Sequence, residues 1–248
     1  MTELVHYAVT DAVATITLDS PHNRNALSRQ LVTELFEHLQ AAAADDTVRV
    51  VLIASSGKVF CSGADLSEAT ADGMEEGARR IVELQRLIVS LDKPVVVRAY
   101  GAVRAGGIGI VAAADIAIAN ESATFALTEV KLGLAAAIIS LTVHHRMNPR
   151  AAALTTLGGE VFSGADAAAY GLVTLAVSDE EIDERVAAVC RSLVTGAPQG
   201  LRESKKILNA DLLERIDTRG AELAALSARL FASDEAREAM TAFLSRKK

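Results

Sequence analysis

Residues 93–109 read KPVVVRAYGAVRAGGIG, an apolar run that ends in a glycine-rich turn. The run from Val95 to Ala99 is typical of a strand buried on both faces of a parallel sheet, and the small residues after the turn favour a closely packed helix. A junction of strand, turn and helix leaves backbone N–H groups without partners at the start of the helix. Since glycine lets another group approach the backbone closely, this stretch predicts an α/β fold whose turn can meet a ligand.

A second turn of the same kind precedes it in the chain. Residues 60–66 read FCSGADL and follow the near-continuous apolar run 48–54, which predicts another buried strand. Two such turns side by side in a parallel sheet could aim two N–H groups at one oxygen, which is the geometry of an oxyanion hole. Either turn alone is explained more simply by close packing of helix on sheet. Neither contains GxGxxG, or GxxxxGK followed by Ser or Thr, so a dinucleotide or nucleoside triphosphate site is not indicated.

The elements around these turns follow from the spacing of apolar residues. Residues 4–9 and 13–18 alternate apolar and polar side chains about a turn, which predicts a β-hairpin. Ser28 is predicted to cap a helix that runs to about Ala44. The remaining segments before Glu129 are predicted as a loop over 57–73, a helix over 74–91 and a strand over 116–119.

After Glu129 the pattern predicts mainly helices. Residues 198–248 are predicted to form three helical segments without a strand. The chain therefore divides into an α/β core, 1–197, and a C-terminal helical subdomain, 198–248. The subdomain carries more apolar side chains than an appendage needs, which predicts that the chain associates with copies of itself. These side chains are Leu213, Ile216, Leu223, Leu226, Leu230, Phe231 and Phe243.

The composition limits the classes of function. The chain has 248 residues, half of them apolar, and a net charge of −7. It has no basic stripe of the kind that nucleic-acid binding requires. No uncharged apolar run reaches membrane-spanning length, and the first residues lack the pattern of a secretion signal. The two cysteines, Cys61 and Cys190, indicate no disulfide framework, so we expect a cytoplasmic protein with neither a membrane nor a nucleic-acid partner.

A series of motifs runs along the chain in a fixed order. After the hairpin they are NRNALS (23–28), FCSGADL (60–66), KPVVVRAYGAVRAGG (93–107), AAADIAIA (112–119), ATFALTEVKLGL (123–134) and FSGADAAAYGLV (162–173). Together, across nearly the whole chain, they resemble the crotonase (enoyl-CoA hydratase/isomerase) family. The resemblance implies an α/β fold, a spiral of ββα units followed by a helical trimerisation region, and a homotrimer or hexamer. It also implies an acyl-CoA thioester substrate and no cofactor, because CoA is part of the substrate.

The resemblance implies roles for individual residues. Ala64 and Gly106 match the two backbone amides of the family's oxyanion hole, and Glu129 matches one of its acid/base carboxylates. The residues that match the path of CoA are Asn23, Arg24, Ala26, Ser62 and Leu66. We expect the walls of the acyl pocket to come from 67–90 and 134–145.

The chain departs from the standard hydratase at one position. Gly109 stands where that enzyme carries a second glutamate, and the spacing from Gly109 to Glu129 fits the family without a gap. The glycine-rich loop that usually follows is also altered and reads LAAAIIS over 134–140. This variant is similar to the subgroup that hydrates branched, glutaconyl-type acyl-CoAs.

Three functions follow from these features. The first is a hydratase, a lyase that adds water to a trans-2-enoyl-CoA through a thioester enolate held by the oxyanion hole. The second is a Δ3,Δ2-enoyl-CoA isomerase, in which one glutamate moves a proton between two carbons. The third is a homologue that binds acyl-CoA without turnover, because the second carboxylate is missing.

Some polar residues have a simpler interpretation. Without the resemblance, Glu129 would be taken as solvent-facing or paired with Lys131, and Asp65 as a cap of the following helix. Cys61 is explained better as a small packing residue than as a nucleophile, since no base is marked beside it. Arg104 either lines the pocket or pairs with a carboxylate.

Other charged residues indicate no site. The adjacent His144 and His145 lie in a predicted helix and cannot face one ligand together. Lys205 and Lys206 are predicted as solvated surface, with a basic patch that meets CoA phosphates across a subunit boundary as the alternative. The chain has no HExxH or CxxC motif, so no metal site is expected.

Overall fold

The computed structural model describes residues 2–68 and 71–245, without the side chains of 66, 71–74 and 243–245. Its strands are β1 (Val5–Thr10), β2 (Val13–Leu18), β3 (Val50–Ser55), β4 (Val59–Cys61), β5 (Val95–Ala99), β6 (Ala102–Arg104), β7 (Ile116–Asn120), β8 (Thr124–Ala126), β9 (Phe162–Ser163) and β10 (Leu175–Val177). Its α-helices are α1 (Arg29–Ala44), α2 (Ala71–Ser90), α3 (Gly106–Ala113), α4 (Ser140–Arg146), α5 (Pro149–Gly158), α6 (Gly164–Ala169), α7 (Ile182–Val194), α8 (Pro198–Phe231) and α9 (Asp234–Ser245). Short 3-10 segments are Pro21–Asn23, Leu66–Glu68 and Thr128–Leu132. Over these described ranges, no helix is both long and apolar enough to cross a membrane.

The strands form two sheets, and the chain passes back and forth between them. The larger sheet has the order β1-β2-β3-β5-β7-β10 and is parallel except for the antiparallel hairpin of β1 and β2. The smaller sheet has the order β4-β6-β8-β9. The pairs β3/β4, β5/β6 and β7/β8 each place one strand in each sheet, and α2 and α3 follow the first two pairs. The predicted spiral of ββα units is confirmed.

The predicted loop over 57–73 is partly wrong. It contains β4, the 3-10 segment Leu66–Glu68 and the first residues of α2, which begins at Ala71 rather than at 74. Strands β4, β6 and β8 have three residues each. An alternation of period two cannot be recognised in so short a run beside glycine, so the smaller sheet was not predicted.

The N-terminal elements match the prediction closely. The hairpin pairs Val5 with Leu18 and Thr10 with Val13, and it turns at Asp11 and Ala12, both with positive φ as two-residue hairpin turns require. The Ser28 hydroxyl accepts a hydrogen bond from the Leu31 amide at 3.2 Å, so Ser28 caps α1 as expected.

The C-terminal segment forms two helices in its described part, 198–245, and not the three that were predicted. Helix α8 runs for 34 residues and contains Gly220, a residue that usually weakens a helix. A Cβ on Gly220 would lie 2.7 Å from Val82 Cγ1, so the glycine is needed for close packing of α8 on α2 rather than for a break. The predicted boundary at 197/198 coincides with the start of α8, and a separate helical subdomain stays a prediction.

The apolar residues cited for self-association are largely used inside the chain. Ile216 and Leu223 are 2% and 6% exposed and belong to the main core, whereas the side chain of Phe243 lies outside the description. Large apolar side chains that are exposed occur elsewhere, mainly on α5, just after it and in the first third of α8. They include Leu154, Leu157, Val161, Ile207 and Leu208. The oligomer therefore stays a prediction that rests on the family resemblance.

Lys205 was predicted as solvated surface, and the prediction is wrong because the side chain is 5% exposed. Its Nζ lies 2.8 Å from Asp115 Oδ2 and donates to the carbonyls of Ile88 and Lys93 at 2.9 and 3.0 Å. Asp115 also accepts from the Val95 amide at 2.8 Å. Through these contacts Lys205 and Asp115 connect α8 with the start of β5. Lys206 is exposed as predicted.

We expect Lys205→Met to lower the free energy of unfolding by about 3–5 kcal/mol, because it leaves the mostly buried Asp115 carboxylate without its cation. Chemical denaturation measures the change. Lys206→Met is the matched control and should stay within about 0.5 kcal/mol of the unmodified protein. Equal effects of the two variants would contradict the buried ion pair.

Candidate active site

The three residues predicted as catalytic meet in one cavity. A cavity of about 160 Å³ is lined by Ala64, Gly106 and Glu129, together with small and apolar residues of α2, α8 and the segment before α4. These three residues are far apart in the sequence. They come together because each follows a strand that ends at the same edge of the structure.

The two predicted oxyanion donors lie on neighbouring turns. The Leu27 amide donates to the Gly63 carbonyl at 2.8 Å, and a Cβ on Gly63 would lie 3.0 Å from the Cβ of Ala105. The residues that directly precede Ala64 and Gly106 are therefore in contact. Within residues 2–68 and 71–245, neither the Ala64 nor the Gly106 amide donates to a protein acceptor. Two unpartnered N–H groups at one cavity wall are what binding of a developing oxyanion requires.

The backbone before Gly106 is strained. Ala105 has φ +45° and ψ −119°, a conformation that residues with a side chain rarely adopt. Such strain costs on the order of 1–3 kcal/mol and persists where the surrounding structure enforces it. Here it turns the chain sharply from β6 into α3, so that the Gly106 amide becomes the first N–H of the helix.

Glu129 is a mostly buried carboxylate in the 3-10 segment Thr128–Leu132. Among the described residues, its Oε2 is buried and has no hydrogen-bond partner. Burial raises the pKa of the Glu129 carboxyl, partly offset by its own backbone amide. Pairing with Lys131, the alternative considered from sequence, is wrong because Lys131 Nζ lies 2.8 Å from Glu160 Oε1. A carboxylate in this setting holds a proton more readily than an exposed one, which suits a group that takes up and releases a proton.

The apolar surroundings of Glu129 come only in part from its neighbours in the chain. Ala126 and Leu127 are buried, but Val130 is 42% exposed. The cavity that holds Glu129 is lined by apolar residues from elsewhere, among them Leu27 and residues 135–139, the altered loop. The expected walls, 67–90 and 134–145, each contribute lining residues through 76–78, 80–81 and 135–139. Ser227 and Phe231 of α8 also line the cavity. The sequence did not indicate them, because the pattern of α8 alone does not show which of its residues face a distant segment of the chain.

Gly109 faces a filled space. A Cβ on Gly109 would lie 2.7 Å from Ile139 Cγ2 and 3.4 Å from Gln85 Oε1. Gln85 is fully buried; its Nε2 donates to the Ile138 carbonyl at 3.2 Å and its Oε1 accepts from the Thr142 hydroxyl at 2.7 Å. The side chain that a two-glutamate hydratase carries at this position is thus replaced by the methyl groups of Ile139 and a satisfied amide. Sequence patterns did not predict this contact.

The other carboxylates of the cavity already have partners. Asp65 accepts from the amide and hydroxyl of Ser67, which agrees with a capping role, and Glu68 accepts from the Arg29 amide at 2.9 Å. Glu76 forms an exposed ion pair with Arg79 at 2.7 Å. Glu129 is therefore the cavity-lining carboxylate that lacks a partner within the described chain.

The residues predicted along the CoA path join two segments at the rim of the cavity rather than line it. Ser62 donates through its hydroxyl to the Asn23 carbonyl and through its amide to the Arg24 carbonyl, both at 3.1 Å. Asn23 Nδ2 donates to Asp65 Oδ2 at 3.0 Å, and Ala26 is buried. The side chain of Leu66 lies outside the description. A role in CoA binding stays a prediction for all five.

The remaining candidates have structural roles. The Arg104 guanidinium donates to the Val103 carbonyl and the Thr124 hydroxyl and does not line the cavity. Burial is the main cause that lowers the pKa of His144 and of His145. Across the described ranges, no group of His, Cys, Asp and Glu side chains is arranged to hold a metal ion.

Comparison with known proteins identifies relatives over the full length. A family model for enoyl-CoA hydratase/isomerase matches residues 8–248. The crystal structure of an enoyl-CoA hydratase from Mycobacterium avium is 46% identical, with a TM-score of 0.92, and the match covers 99% of this chain and 98% of that one. The 1,2-epoxyphenylacetyl-CoA isomerase of Escherichia coli K12 is 30% identical over 258 residues, covering 100% of this chain and 97% of that protein. The enoyl-CoA hydratase domain-containing protein 3 of Danio rerio is 28% identical over 237 residues, covering 94% and 82% respectively.

Proposed function

The chain belongs to the enoyl-CoA hydratase/isomerase family, and on that premise we propose that it adds water to the double bond of a trans-2-enoyl-CoA. The observation that carries the proposal is that one cavity holds the mostly buried Glu129 carboxylate and the Ala64 and Gly106 amides, all three without a partner among the residues that the structure describes.

In the proposed reaction the thioester oxygen accepts hydrogen bonds from the Ala64 and Gly106 amides. Glu129 takes a proton from water, and the water oxygen bonds to C3 while negative charge moves to the thioester oxygen. Glu129 then returns a proton to C2, so that the elements of water are added across the double bond. Each oxyanion donor typically contributes about 3–4 kcal/mol to stabilisation of the transition state. The raised pKa of Glu129 brings its proton affinity closer to that needed for both transfers.

The binding site for the rest of the substrate follows from the same premise. CoA extends along Asn23, Arg24, Ala26, Ser62 and Leu66, and the acyl group enters the apolar part of the cavity. The reaction needs no further cofactor. A cytoplasmic location remains the expectation from sequence.

We propose a trimer or a dimer of trimers. The proposal rests on the family, and light scattering tests it. A monomer at micromolar concentration would contradict it.

The contact of Gly109 with Ile139 favours a second reaction, isomerisation of a 3-enoyl-CoA. A two-glutamate site can hold water between two carboxylates, whereas here the second position has no carboxylate and faces Ile139 and the hydrogen-bonded amide of Gln85. A single carboxylate suffices for isomerisation: Glu129 would remove a proton from C2 and return it to C4, while the oxyanion hole holds the dienolate between the two steps.

Incubation with a panel of 2-enoyl-CoA and 3-enoyl-CoA thioesters separates the two reactions. Hydration adds the mass of water and removes the absorbance of the conjugated thioester. Isomerisation keeps the mass and creates that absorbance from a 3-enoyl substrate. Binding of the thioesters without either product would contradict both reactions and identify an idle acyl-CoA-binding homologue.

The pH dependence tests the state of Glu129. A general base must be deprotonated, so kcat/KM should fall as the pH is lowered through the Glu129 pKa. Because burial raises that pKa, the acid limb should be centred above the ordinary glutamate value of 4.5. Glu68→Gln is the matched control at the cavity rim and should keep the limb. An acid limb at or below 4.5 would mean that another group titrates.

A further inference from the structure

The side chain of Cys61 lies between the two turns that carry the oxyanion donors. Cys61 ends β4 and is fully buried. Its Sγ accepts a hydrogen bond from the Gly63 amide at 3.4 Å, and the Gly107 amide also hydrogen-bonds the sulfur. Gly63 directly precedes the donor Ala64, and Gly107 directly follows the donor Gly106.

Cys61 packs closely against the turn that carries Gly106. A Cβ on Gly107 would lie 2.6 Å from the Cβ of Cys61 and 3.0 Å from its sulfur. On the other side, a Cβ on Gly63 would lie 3.0 Å from that of Ala105. The end of β4 and the start of α3 are therefore in contact through the side chain of Cys61.

The thiol itself is not suited to chemistry on a substrate. Burial raises the pKa of Cys61 to about 12, although the Gly63 and Gly107 amides act in the opposite direction. The thiolate, which is the nucleophilic form, is thus disfavoured at neutral pH. A role for this residue must act through its neighbours.

We propose that Cys61 is a positioning residue that fixes the Ala64 and Gly106 amides relative to each other. The inference rests on the proposed function, because it assigns Cys61 to the oxyanion hole of that reaction. Oxyanion donors act at about 2.7–3.1 Å from the oxygen that they stabilise, and a misplacement of about 1 Å in an active site can lower the rate on the order of 10²-fold. Removing the sulfur leaves the Gly63 and Gly107 amides without this acceptor and removes one of the contacts that hold the two turns together.

The test compares Cys61→Ala, Cys61→Ser and Cys190→Ala. Cys190 is the matched control because it is also buried but packs in the second core cluster with Val186 and Ile182. We expect Cys61→Ala to lower kcat about tenfold while KM stays within about twofold. This fall in kcat is smaller than that expected when an oxyanion donor is lost, because both amides are still present. Cys61→Ser keeps an acceptor for the Gly63 amide and should restore a clear part of kcat.

A second readout reports on the oxyanion hole without turnover. Acetoacetyl-CoA ionises to an enolate that absorbs in the ultraviolet, and stabilisation by the protein lowers its pKa. We expect the pKa of bound acetoacetyl-CoA to be about one unit higher in Cys61→Ala than in the unmodified protein. One pKa unit is a tenfold change in the ionisation constant, which matches the tenfold fall expected in kcat. Cys190→Ala should leave it unchanged.

The outcomes separate this inference from the proposed function. Stabilisation of the enolate by the unmodified protein but an equal pKa and kcat in Cys61→Ala would overturn the role of Cys61 alone. Equal losses in Cys61→Ala and Cys190→Ala would also overturn it, since they would indicate general destabilisation. No stabilisation of the enolate by the unmodified protein would overturn the oxyanion hole itself.

Discussion

Glu129→Gln should lower kcat by roughly 10²–10⁴-fold while the affinity for an acyl-CoA stays nearly unchanged. Glutamine keeps the size and shape of the side chain but cannot exchange a proton. The carboxylate lines the cavity, its Oε2 has no partner in the described chain, and burial raises its pKa. Steady-state kinetics on the preferred enoyl-CoA, with calorimetric binding of a saturated acyl-CoA, measures both parts of the prediction.

Glu160→Gln is the matched control. Glu160 lies beside the same segment, where it pairs with Lys131 in an exposed ion pair, so its loss should change kcat by less than about twofold. Near-full hydratase and isomerase activity in Glu129→Gln would show that the catalytic group lies elsewhere. The places to search would then be the loop around Asp65 and Glu68, or a group from a neighbouring subunit.

Gly106→Pro should lower kcat by roughly 10²–10³-fold, because proline removes one oxyanion donor without removing any side chain. Gly106 is the first residue of α3, a position that proline tolerates. Proline also disfavours the φ +45°, ψ −119° backbone of the preceding Ala105, so a shift of that backbone adds to the loss of the donor. A new side chain at 106 would meet Leu27 Cδ1 at 2.5 Å, the far end of a flexible side chain that can rotate away. The assay is kcat on the preferred enoyl-CoA, measured well below the unfolding temperature of the variant.

Gly106→Ala supplies the control for crowding, since alanine adds the same Cβ but keeps the N–H group. It should retain most of kcat, and the two variants together separate the donor from the space around it. If alanine and proline lowered kcat equally, the loss would come from the contact with Leu27 and not from the amide.

Much of the larger sheet could be predicted because its elements are long or strongly patterned. The hairpin, the cap at Ser28 and the strand Val95–Ala99 match the structure. The smaller sheet could not be predicted, because its three-residue strands are too short to show a period.

Contacts between distant segments explain the other errors. The third C-terminal helical segment and the solvated Lys205 were predicted from local sequence, but α8 continues through Gly220, which packs against Val82 of α2, and Lys205 is paired with Asp115. Neither partner can be identified from residues near it in the chain.

The candidate site, too, could be predicted only in part. The order of motifs was enough to predict Ala64, Gly106 and Glu129 together, and they line one cavity. The filling of the space at Gly109 was not predicted, because it depends on Ile139 and Gln85, which lie on other elements. The sequence thus predicted three residues that meet in the cavity, while the contact of Gly109 with Ile139 and Gln85 required the structure.

The most direct test of the enolate site is exchange of the C2 protons of a saturated acyl-CoA in deuterated water, followed by proton NMR. This exchange requires a base at C2 and a stabilised thioester oxygen, and it does not depend on whether the natural reaction is hydration or isomerisation. We predict exchange by the unmodified protein, with rates reduced in Glu129→Gln and Gly106→Pro by about the factors expected for kcat. Exchange no faster than in buffer, or an undiminished rate in Glu129→Gln, would contradict an enolate site built from Ala64, Gly106 and Glu129.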